Sequence, residues 1–65
     1  MKLPIGQLIK ITLDEREQPL LATVIRKLDD DYELAWTLDN EVVKDVMTRE
    51  ELIRAFTSGY YKLVL

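Results

Sequence analysis

The chain has 65 residues, 48% hydrophobic and 32% charged, and its nine Lys and Arg against twelve Asp and Glu leave a formal net charge of −3. It contains no cysteine and no histidine. That excludes a disulfide framework, a thiolate zinc site and imidazole acid–base or metal chemistry. The apolar fraction is that of a globular chain rather than a disordered one, and the length fits one domain, residues 1–65.

A chain this short buries a small share of its surface. With neither a disulfide nor a Cys/His metal site to help, most of its 31 hydrophobic residues are expected to be structural. The longest apolar runs, Leu20-Leu21-Ala22 and Leu63-Val64-Leu65, fall far short of the roughly 20 residues of a membrane span. Met1 to Gly6 lacks the sustained apolar stretch of a signal peptide. A cytoplasmic location is expected by default, and the leading methionine and small size are compatible with a phage or mobile-element origin.

The periodicity is mostly that of strands. From Gln7 to Leu13, the residues Ile9, Ile11 and Leu13 alternate with Lys10 and Thr12, while Leu8 sits on the polar side. Asp14 to Pro19 reads as a loop. Leu20 to Leu28 is apolar on both faces: Leu20, Ala22 and Val24 share one with Arg26 and Leu28, and Leu21 and Ile25 lie on the other. That pattern predicts a long, bent strand turning a corner between two sheets. Asp29-Asp30-Asp31 forms a turn.

Tyr32 to Leu38 places Tyr32, Leu34, Trp36 and Leu38 on one face. Asp39-Asn40 is a tight turn, because both residue types tolerate left-handed backbone. Glu41 to Met47 is a β-branched strand. Thr48-Arg49-Glu50-Glu51 then has the form of a capping box, with Thr48 as N-cap and Glu51 at N3. It opens a helix over 49–57, which Gly59 ends in a left-handed conformation. Tyr60 to Leu65 closes the chain as a strand, with Tyr61, Leu63 and Leu65 on one side.

The order β-β-β-β-α-β with short connections suits a small bent barrel. The segments "GQLIKITL", "PLLATVIRKL", "DYELAWTL", "EVVKDVMTREEL" and "YYKLVL" together resemble the SH3-like small barrels, Tudor-like in flavour. The likeness lies in the "ATVI" second strand, the aromatic third strand and the "TREEL" turn before a short last strand. It implies a mainly β fold: a five-stranded antiparallel barrel with one short helix at about 49–57. In Tudor-like relatives an aromatic cage with an acid binds methylated lysine or arginine through cation–π attraction. The resemblance would then assign Trp36, Tyr32 and Tyr60 as rings and Asp29 to Asp31 as acids. Against this, Tyr32 and Trp36 share the apolar face of Leu34 and Leu38, as core residues do.

The remaining chemistry is thin. Asp29 to Asp31 lacks the glycine and distal glutamate of a calcium loop and reads as a solvated hairpin tip. Ser58, the only serine, belongs to the helix end, and two glycines make no phosphate loop. No catalytic residue, metal ligand or cofactor site is expected.

The first expectation is a non-enzymatic protein-interaction module, an adaptor, regulator or subunit. It would act through an exposed strand edge or apolar patch that includes Tyr60, Tyr61, Lys62 and Trp36, with a protein partner or self-association. The alternative is a nucleic-acid-binding barrel using Lys10, Arg26, Lys27 and Lys62, of which Lys10, Arg26 and Lys62 could meet across neighbouring strands. The acidic balance opposes it.

Overall fold

In a computed structural model the chain is mainly β, with one helix before the last strand. The structure describes residues 2–15 and 17–65; Met1, and Arg16 within the expected loop, lie outside the described residues. The elements are β1 (Leu8–Ile11), β2 (Leu20–Leu28), β3 (Asp31–Leu38), β4 (Glu41–Met47), α1 (Arg49–Ser58) and β5 (Tyr61–Leu63). All pairings are antiparallel, and the five strands form one sheet in the order β4-β3-β2-β1-β5.

Two expectations are corrected. The sheet is not closed into a barrel, because β4 and β5 remain its two edges with no ladder between them. The reason is α1, which occupies the chain between those edges and seals the core with a side chain instead of backbone pairing: Leu52 is fully buried among the residues of the sheet's inner face. Nor does β2 pass between two sheets. It stays in one sheet and carries a β-bulge between Val24 and Arg26.

Local chemistry explains the turns and ends. Asp39 and Asn40 have φ of 51° and 66°, the two positive values that a two-residue type I′ hairpin requires. Asp29, also at positive φ, turns β2 into β3. The capping box is complete: the Glu51 N–H donates to Thr48 Oγ1 (3.1 Å) and the Thr48 N–H donates to Glu51 Oε1 (3.2 Å). Gly59 ends the helix at φ 86°, its N–H bonded to the Phe56 carbonyl.

The outer strands are shorter than their apolar patterns suggest. Leu13 and Leu65 are exposed rather than core, since β1 and β5 pair only with each other and with β2, and little lies beyond them to cover these ends.

The core holds Ile9, Ile11, Leu20, Ala22, Val24, Tyr32, Leu34 and Leu52, with Leu3 from the N-terminal segment. Tyr32, 2% exposed, accepts a hydrogen bond from the Leu3 N–H at 3.1 Å. Its hydroxyl thereby ties that segment to the sheet. Trp36 is half-buried and packs against the same core. The accessible area is 4813 Å², above the roughly 4300 Å² expected of a compact monomer of this mass, as befits a sheet covered on one side.

If Leu52 closes the core, Leu52→Ala should cost about 2–5 kcal/mol, while Thr48→Ala, which removes one cap, should cost about 1 kcal/mol. Urea-unfolding midpoints measure both. A Leu52→Ala effect no larger than that of Thr48→Ala would contradict the sealing role.

Candidate functional site

Side chains alternate across a strand, so the ladder register assigns each residue to a face. Ile9 opposite Ala22, Ile11 opposite Leu20, and Val24 opposite Leu34 form the buried inner face. The other face carries Leu8 and Lys10 from β1, Leu21 and Thr23 from β2, Ala35 and Thr37 from β3, Val42, Lys44 and Val46 from β4, and Lys62 from β5. Val64 continues this face beside Leu8, donating its N–H to the Leu8 carbonyl at 3.0 Å. The described residues place no second layer over it. Leu21 is 55% and Val42 67% exposed, and a shallow depression of about 330 Å³ lies among Leu21, Thr23, Ala35 and Val42.

The bulge decides where the basic residues go. Val24 faces Leu34, but the next pairs are Arg26 with Glu33 and Lys27 with Tyr32. The extra residue, Ile25, reverses the alternation. Arg26 therefore leaves the inner face that a simple period of two gives it and joins the outer one, where its Nε lies 3.3 Å from Glu33 Oε1. Lys27 turns to the opposite face, and its ammonium sits 5.9 Å from the Tyr32 ring centroid.

Lys10 and Lys62 are ladder partners, directly opposite one another on the outer face. Lys44 stands opposite Ala35 on the same face. Among the described residues no carboxylate lies within ion-pair distance of these three lysines; the single ion pair is that of Arg26 with Glu33. Asp31, the other acid with an outer ladder position, is at the hairpin end of the sheet.

The residues expected to bind a partner do not come together. Tyr61 pairs with Ile11 and turns inward, its ring edge-on to Phe56 with centroids 5.9 Å apart. Trp36 packs toward the core and borders the outer depression. Tyr60 is exposed, and its hydroxyl donates to Asp14 Oδ2 at 3.3 Å. Lys62 lies on the outer face. With Tyr32 in the core, Tyr32, Trp36 and Tyr60 form no open aromatic cage.

Sequence reasoning missed Lys44 and Val42, whereas Leu21 lies on the second apolar face of the stretch from Leu20 to Leu28 and Val64 in the apolar run from Tyr60 to Leu65. The alternation of Val42, Lys44 and Val46 was a readable signal, but nothing in it says which face the helix covers. A second hollow, about 400 Å³, lies between α1, Met47 and Tyr60; its carboxylate, Glu51, is engaged in the capping box.

The Tyr61 phenol is held above the ordinary tyrosine range, chiefly by burial and further by the nearby Asp45 and Glu51 carboxylates. No family model, curated protein or solved structure matches this chain.

Two measurements check this geometry. Like charges directly opposite in a ladder destabilise it. Lys10→Glu should therefore raise the urea midpoint, by about 0.2–1 kcal/mol of stability, with the gain shrinking in high salt. An unchanged midpoint would mean that the two lysines do not sense each other. For Tyr61, a folded-state pKa above the unfolded one leaves its contribution whole below the ordinary tyrosine value of about 10. That stability is lost as pH rises through the folded value, because the unfolded state ionises first. Stability should fall more steeply above about pH 10 in the parent than in Tyr61→Phe; equal slopes would refute the assignment.

Proposed function

We propose that this chain is a small non-enzymatic interaction module that docks a protein partner on the outer face of its sheet. The observation that carries the reading is an apolar sheet face left open: Leu8, Leu21, Val42, Val46 and Val64 are all exposed there. Contiguous exposed apolar side chains rimmed by charge mark interaction surfaces.

The strand edges support the reading less well than the face. β5 is three residues long and carries Lys62, and β4 places Asp45 on its inner side beside Lys44. Short edges and charges on them discourage strand addition. The resemblance to SH3-like small barrels enters here as a proposal about kinship of fold, supported by five antiparallel strands and a helix before the last.

One observation favours a second reading, nucleic-acid binding: Lys10, Lys62, Lys44 and Arg26 share this face. Phosphate contacts need such a surface. The face offers branched aliphatic side chains, though, where single strands use exposed aromatic rings for stacking.

A photo-crosslinker placed at Thr23 or Thr37 on this face should capture a protein, whereas the same probe at Thr57 on α1 should not. Leu21→Ser combined with Val42→Ser should abolish capture while changing stability by less than about 0.5 kcal/mol per site, since both are surface positions. Capture of nucleic acid alone would favour the second reading, and equal capture from all three positions would refute the docking face.

A further inference from the structure

We infer that the occupant of the outer face is a short anionic amphipathic segment of a partner protein, with its apolar stripe on Leu21 and Val42 and its carboxylates on Lys10, Lys62 and Lys44. The inference rests on the docking reading above and specifies its chemistry.

Three observations carry it. The first is an electrostatic conflict. Lys10 and Lys62 sit directly opposite one another with no carboxylate of the described chain near enough to pair with either. A ladder position occupied by like charges weakens the sheet, and the substitution that would relieve it is a single acid. Places where a sequence breaks a local rule without internal compensation are where function is sought. A carboxylate supplied from outside resolves the conflict, and it pairs with two cations at once.

The second is charge segregation. The chain as a whole is acidic, yet its outer face carries Lys10, Lys44 and Lys62 with no ion-pair partner among the described residues, and Arg26 matched to Glu33. A long polyanion would also meet the acidic remainder of the molecule, including Asp29, Asp30, Glu50 and Glu51. A short segment seated on the face need not extend to those residues, none of which occupies a ladder position. Charge complementarity thus selects a compact anionic segment over an extended nucleic acid.

The third is size. Five strands about 4.8 Å apart present a face about 24 Å across. That matches about 16 residues of helix, the scale of a short segment. The shallow depression between Leu21 and Val42, lined also by Thr23, Ala35 and Thr37, lies on this face, with the lysines on β1, β5 and β4.

The test uses two synthetic amphipathic helical peptides that share one leucine stripe, flanked by glutamates in one and by lysines in the other, together with a single-stranded DNA. Each is titrated into the isotope-labelled full chain and followed by amide chemical shifts. The glutamate peptide should shift residues 8–10, 21–23, 42–46 and 62–64, and bind at least about tenfold more tightly than the lysine peptide, a difference that collapses at high salt. Lys10→Glu with Lys62→Glu should invert that preference, a readout that loss of stability would not produce. Equal binding of both peptides at this face would leave the docking surface standing and overturn the anionic partner. No binding of either peptide there would overturn both, and binding of DNA alone would replace them with the nucleic-acid reading.

Discussion

The structure depends on one constraint: a ten-residue helix is the connection between the two edge strands of the sheet. Starting at the end of β4 and leading into β5, α1 covers the sheet's inner face, and Leu52 enters the core from it with no exposed surface. Backbone pairing of β4 with β5 would have closed a barrel. The helix replaces that pairing with apolar contact, which does not require strand geometry and leaves the sheet open. Its own ends are well satisfied, by the reciprocal Thr48–Glu51 box at one end and by Gly59 in the left-handed region at the other. A short helix needs such caps, because propensity alone does not sustain it in water.

A single helix covers one face. Among the described residues no second layer lies over the other, and its leucines and valines are exposed. In an antiparallel sheet the solvated face is normally polar. Here it mixes aliphatic side chains with three lysines that have no ion-pair partner among the described residues, two of them in direct opposition. Stability alone would favour polar, alternately charged residues at these positions. Exposed apolar patches of this kind mark interaction surfaces, and this departure from the stable choice is what the proposed docking rests on.

Much of the fold was readable residue by residue. The bounds of β2 and β4, the Asp39-Asn40 turn, the capping box and the Gly59 stop follow from interactions spanning a few residues, and the structure has each of them. The ends of β1 and β5 were not readable, because whether Leu13 or Leu65 is covered depends on what packs beyond it. The candidate face was only partly readable. Lys10, Arg26 and Lys62 are readable as a group, but strict alternation puts Arg26 on the face of Leu20, Ala22 and Val24; the bulge at Ile25 reverses the alternation and turns it to the outer face. A one-residue shift has that effect because the side-chain period of a strand is two.

By itself, the sequence determined what is local in this protein: the number and order of elements, their turns and caps, and the absence of thiol and imidazole chemistry. Those properties depend on backbone preferences and hydrogen bonds between near neighbours. The tertiary structure alone decided that the sheet stays open, that Arg26 turns to the outer face, and that Lys10 faces Lys62. Each of these depends on ladder register and on which face the helix covers. Both are set by contacts between residues far apart in the chain, which no local pattern encodes.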